Sequence, residues 1–105
     1  MIKINTMKMW EACIEKQRIA MLYIGVTSCN VCHAMKPKIE KEMEKDPKVG
    51  IFEVNLDEIP EISGKHLVFA VPTLILFCQG KEIYRASRFI DIKELGMRLK
   101  VEVER

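Results

Sequence analysis

Two cysteines separated by two residues, Cys29 and Cys32, are the part of this chain best suited to chemistry, and His33 follows them directly. Three chemistries use such a grouping. A vicinal dithiol cycles between dithiol and disulfide, a Cys-x-x-Cys supplies half of a zinc site, and Cys-x-x-Cys-His is the attachment signature of c-type haem. The flanking residues discriminate among them. An apolar run, Ile19 to Val26, ends just before the pair, and Cys32, Met35, Ile39 and Met43 then recur at helical spacing. The pair therefore stands where a strand gives way to a helix. Unpaired N–H groups and the helix dipole stabilise an anion there, so the thiolate of Cys29 is favoured and becomes the attacking nucleophile. Cys32, one turn inward, is close enough to close a disulfide with little backbone movement and is the resolving thiol.

The metal readings fit less well. A zinc site would draw on Cys29, Cys32, His33 and His66, but a Cys-x-x-Cys followed at once by His is not a finger spacing, and no second close pair exists. Haem attachment would require export, and Met1 to Lys8 is interrupted by polar residues every second or third position. Neither a metal nor a bound organic cofactor is expected. His33 lies four residues beyond Cys29, on the same helical face, where its charged form would lower the thiolate's pKa; the plainer reading is a solvated surface histidine. Cys13, on an apolar helix face, and Cys78, at the end of an apolar run, read as small hydrophobes of the core.

The elements that must hold the dithiol follow from the apolar periodicity. From Asn5 and Thr6, candidate caps, Met9, Trp10, Cys13 and Ile14 mark an amphipathic helix with Trp10 as a core anchor. Ile19 to Val26 is nearly continuous in its apolarity, the pattern of a central parallel strand covered on both faces. Thr27 and Ser28 are good caps for the next helix, Pro37 should kink it, and Asp46-Pro47 closes it. Ile51 to Leu56 alternates as a strand, and Glu61 to His66 makes a short helix or turn. Pro72 then opens the strand Thr73 to Cys78, at one of the few positions where a sheet tolerates proline. Gln79-Gly80-Lys81 turns the chain into an edge strand, Glu82 to Ala86, and Asp91 caps a last helix through Ile92, Leu95 and Leu99. A strand–helix–strand crossover followed by a hairpin and a helix predicts an α/β sandwich in three layers, a mixed sheet with helices on both faces.

The arrangement resembles the thioredoxin family across most of the chain. Pro37 stands five residues after the second cysteine, where that family carries a helix proline, and Val71-Pro72-Thr73 matches its cis-proline segment. Val54-Asn55-Leu56-Asp57 looks like the preceding strand. The resemblance implies a cis Val71–Pro72 bond, with Val71, Pro72 and Thr73 docking the backbone of a substrate. It also marks departures. Ser28-Cys29-Asn30-Val31-Cys32 lacks the family's tryptophan and its proline between the cysteines. Tyr23 stands where the family places a buried acid, six residues before the first cysteine, and Glu53 where it commonly has a lysine. Glu53 with Tyr23 is therefore expected to manage the proton of Cys32.

Composition bounds the rest. The 105 residues, 49% hydrophobic, suffice for one domain spanning residues 1–105. Seventeen Lys and Arg interleave with fifteen Asp and Glu for a net charge of +2, so no basic stripe tracks a nucleic acid. No apolar run approaches membrane-spanning length, and four cysteines without a disulfide framework fit a cytoplasmic protein. The expected function is reduction of disulfides in protein substrates, with electrons from a reductase or a small thiol. The alternative is a redox-sensing adaptor on the same fold, which exchanges once and does not turn over.

Overall fold

The computed structural model describes residues 1–105. Its elements are β1 Ile2–Lys3, α1 Met7–Lys16, β2 Ile19–Gly25, α2 Asn30–Met43, β3 Gly50–Asn55, α3 Glu61–Lys65, β4 Thr73–Cys78, β5 Lys81–Ser87 and α4 Ile92–Val103. The strands form one sheet in the order β1-β3-β2-β4-β5. β2 lies at its centre, parallel to β3 and antiparallel to β4, so the central strand is parallel on one side only. Six of its seven residues are buried. That is why its sequence does not alternate: both faces of the strand are covered.

Alternation within the sheet divides the core in two. Leu22, Ile24, Phe52, Val54, Ile75 and Phe77 meet Trp10 of α1 and Ile62 of α3 on one face. Met21, Tyr23, Leu74 and Leu76 meet Ile39 and Met43 of α2 and Leu95 and Leu99 of α4 on the other. The result is the three-layer mixed-sheet sandwich expected. β1 was not expected; its two residues pair in parallel with Phe52 and Glu53, and the amide of Ile4 donates to the Glu53 carbonyl at 2.8 Å. The hairpin between β4 and β5 turns at Gln79 and Gly80, with φ of 51° and 80°, the two left-handed residues of a tight turn whose twist matches the strands.

One rung of the sheet matters most for function. Ser87 of β5 faces Thr73 of β4, Thr73 faces Ile24 of β2, and Ile24 faces Val54 of β3. All four lie at or next to strand ends. The segments 26–29, 56–57, 69–72 and 88–90 therefore join the sheet at the same end of its strands.

At the first face, Trp10 Nε1 donates to His66 Nε2 at 2.9 Å, and Arg85 donates to the His66 and Leu67 carbonyls at 2.5 and 2.9 Å. Accepting from the indole requires a neutral imidazole. Burial first, and then the charges of Lys65 and Arg85, hold the His66 pKa below its ordinary 6.5. The native contribution is thus fully present above pH 6.5 and declines as pH falls below it, where the unfolded chain takes up a proton that the folded chain resists. Urea unfolding at about pH 7.5 and about pH 5.5, above the range of ordinary carboxylates, should give a lower midpoint at the acid value. His66→Phe should be less stable throughout but flatter between the two; an unchanged pH difference would refute the assignment.

Candidate active site

Cys29 is the N-cap of α2, with φ −85° and ψ 101°, and its sulfur accepts the amide of Cys32 at 3.1 Å. Thr27 and Ser28, the caps expected from the sequence, lie outside the helix. The reason is tertiary. Thr27 is held from three directions: its amide donates to Asp57 Oδ2 at 3.0 Å, its hydroxyl accepts from Asn55 Nδ2 at 2.7 Å, and its carbonyl accepts from His33 Nε2 at 2.8 Å. Asp57 is in turn fixed by its amide donating to Asn55 Oδ1 at 2.8 Å. With Thr27 pinned to the end of β3, the helix begins two residues later, and the sulfur of Cys29 takes the capping position. Asn55 and Asp57 therefore position the dithiol. The sequence signal for them was the Asn-x-Asp spacing at the end of a strand, a local turn pattern.

Cys29 and Cys32 form a disulfide with a Cα–Cα separation of 5.3 Å. Their environments are unequal. Cys29 is half-buried, whereas Cys32 is only 4% exposed. Gly25 explains how Cys32 fits against the sheet: a Cβ there would come within 3.1 Å of both the Cβ and the sulfur of Cys32. The helix therefore packs its second cysteine directly on the backbone of β2.

Beneath the pair lies a cleft of about 180 Å³ lined by Tyr23, Cys32, His33, Lys36 and Glu53 among others. Helical and strand periodicity converge in it. Cys32 and Lys36 share one helix face at i,i+4, while Tyr23 and Glu53 are paired neighbours on β2 and β3. The Tyr23 hydroxyl donates to the Cys32 carbonyl at 2.7 Å, and burial raises its pKa to about 12. It is a neutral donor at physiological pH. Glu53 pairs with Lys36 at 2.7 Å. His33 is exposed, with its ring on the Thr27 carbonyl rather than loose in solvent.

The Val71–Pro72 bond is cis, and Pro72 is buried. The Thr73 hydroxyl donates to the Ala70 carbonyl at 2.6 Å and meets the Ser87 hydroxyl at 2.9 Å. Neither the amide nor the carbonyl of Val71 makes a hydrogen bond. The zinc candidates are not assembled: His66 is committed to Trp10, and no three His, Cys, Asp or Glu side chains group so as to hold a metal ion. Cys13 packs against the Trp10 core cluster, and Cys78 ends β4; both are half-buried and free.

The thioredoxin family model matches residues 1–99. The chain belongs to the thioredoxin family. Among curated relatives, the thioredoxin-like protein YdfQ of Bacillus subtilis is 33% identical over 87 residues, which cover 83% of this chain and 78% of that protein. Thioredoxin-1 of Saccharomyces cerevisiae is 30% identical over 79 residues, 75% of this chain and 77% of its own length. Among solved structures, Plasmodium falciparum thioredoxin superposes with a TM-score of 0.86 at 17% identity, over 93% of this chain and 98% of its own. Fasciola hepatica thioredoxin covers both chains fully with a TM-score of 0.80 at 26% identity. Within the thioredoxin family, a redox-active Cys29–Cys32 pair supports thiol–disulfide oxidoreductase chemistry in general.

The close packing of Cys32 on Gly25 gives a direct test. Gly25→Ala should push α2 away from β2, lowering stability by about 1–3 kcal/mol. It should also slow closure of the Cys29–Cys32 disulfide, read by trapping free thiols after oxidation. Wild-type closure kinetics in Gly25→Ala would show that the contact does not position Cys32.

Proposed function

We propose that this chain, acting as one domain in the cytoplasm, reduces disulfides of protein substrates by dithiol–disulfide exchange. The observation that carries the reading is the asymmetry of the pair: a half-buried Cys29 at the helix N-cap and a buried Cys32 whose amide points at its sulfur. When both cysteines are reduced, the Cys32 N–H and the helix dipole favour the Cys29 thiolate. That thiolate attacks one sulfur of a substrate disulfide, the other sulfur leaves as a thiolate, and a mixed disulfide forms. Cys32 then loses its proton and attacks the Cys29 sulfur, releasing the second substrate thiol. Two electrons have passed to the substrate, and the Cys29–Cys32 disulfide remains for a reductase or small thiol to reduce.

The supporting roles follow from the cleft. Glu53 takes the Cys32 proton, directly or through one water, while Lys36 holds the carboxylate at the cleft wall. Tyr23 orients the Cys32 peptide and stays protonated. His33 steadies the Thr27 loop and, when charged, adds to the field at Cys29. The unbonded Val71 backbone, with Pro72 and Thr73 beside it, is suited to pair with an extended segment of substrate.

With dithiothreitol as the electron source, the protein should reduce insulin catalytically, Cys29→Ser should be inactive, and Cys32→Ser should accumulate a mixed disulfide. Exchange that stops after one equivalent would favour the adaptor instead. Glu53→Gln should leave the first attack unchanged but slow resolution by about 100-fold near pH 7. The gap should narrow as pH rises above neutrality, because hydroxide then competes with the carboxylate as the base. A resolution rate and pH profile equal to wild type would remove Glu53 from the mechanism.

A further inference from the structure

Most large apolar side chains of this chain are covered, yet Phe69 and Phe89 are 88% and 87% exposed. Both are tied to the same backbone. Phe69 lies three residues before Pro72. Phe89 follows Arg88, whose amide donates to the Pro72 carbonyl at 2.7 Å. The Phe89 amide donates to the Ser87 carbonyl at 2.7 Å around Arg88, whose φ is 66°. This is a γ-turn in the left-handed region, a rare and strained conformation for a residue with a side chain. It carries Phe89 out into solvent instead of onto the sheet. Because Ser87, Thr73 and Ile24 share a rung, the segments that carry both phenylalanines join the sheet at the strand ends from which the Cys29 loop also departs. Val31, between the two cysteines, is exposed as well.

Size identifies the occupant. Two exposed phenylalanines present about 300–400 Å² of apolar surface. A stable association needs about 800 Å² from each partner, so even with the exposed Val31 and Leu67 these side chains are too few to hold a second copy or a permanent subunit. It fits one or two side chains of a short extended segment, and the free amide and carbonyl of Val71 lie between Phe69 and Pro72 in the chain to receive that segment's backbone.

We propose that Phe69 and Phe89 determine substrate choice: the disulfides reduced best carry a large apolar side chain within a residue or two of the cysteine that Cys29 attacks. This rests on the reductase reading above. In each turnover the substrate disulfide gains two electrons and two protons to become two thiols, the Cys29/Cys32 dithiol becomes a disulfide, and dithiothreitol restores it.

The test compares two cyclic peptide disulfides that differ only in a Phe or a Ser beside one cysteine, with bis(2-hydroxyethyl) disulfide as a substrate too small to reach the patch. The wild-type protein should prefer the Phe peptide by about tenfold in kcat/KM. Phe69→Ser/Phe89→Ser should lose that preference while reducing the small disulfide at the wild-type rate; the single variants serve if the double variant does not fold. Equal rates for the two peptides in wild type, or a preference that survives in the variants, overturns the proposal. So does sedimentation showing a wild-type dimer that the variants dissolve. Failure to turn over any disulfide overturns the reductase reading, and this proposal with it.

Discussion

The amide of Cys32 points at the sulfur of Cys29 from 3.1 Å, and the geometry of the whole site depends on that contact. It exists because α2 is capped by Cys29 and not by Thr27 or Ser28. An N-terminal helix turn leaves amides without partners, and whichever residue occupies the cap receives them. Here the tethering of Thr27 to Asn55, Asp57 and His33 assigns that place to a cysteine. A capping hydroxyl would satisfy the same amide but could not attack a disulfide. The end of β3 thus decides the chemistry of a residue on another element.

The sheet supplies the second constraint. A parallel β2–α2–β3 crossover lays α2 across the sheet, and Gly25 lets Cys32 touch the β2 backbone. Burial removes Cys32 from competing disulfides, while Cys29 keeps an opening to solvent. The same crossover brings the helix face bearing Cys32 and Lys36 over Tyr23 and Glu53. A family pattern that places an acid on β2 and a lysine on β3 is replaced here by a tyrosine on β2 and an acid on β3. Lys36 of α2 supplies the cation. The charge arrangement has moved, yet a carboxylate still borders the cleft of the second cysteine.

Much of this was legible in the sequence because its causes are local. Apolar periodicity located β2, α2, β4 and the last helix to within a few residues, and the Cys-x-x-Cys at a strand–helix junction carried its chemistry with it. Trp10 was read as a core anchor and is fully buried. What escaped was set by distant partners. β1 is two residues long and owes its existence to bonds with β3. The true cap was hidden because Thr27 and Ser28 both rank above cysteine in local propensity, and only side chains some 30 positions away overrule them. His66, one of the residues weighed as a metal ligand, is instead an acceptor for Trp10, 56 positions away. The strained turn at Arg88 and the exposure of Phe89 likewise depend on the Pro72 carbonyl and have no signature of their own.

The central claim is that Cys29 and Cys32 form a reversible pair poised to donate electrons, and their reduction potential tests it most directly. The protein would be equilibrated in glutathione buffers of graded ratio, its thiols alkylated, and the two states counted by mass spectrometry. The account predicts a potential at or below about −230 mV, in the range of thioredoxins and glutaredoxins. A value near or above about −180 mV, or no reversible disulfide at all, would contradict it.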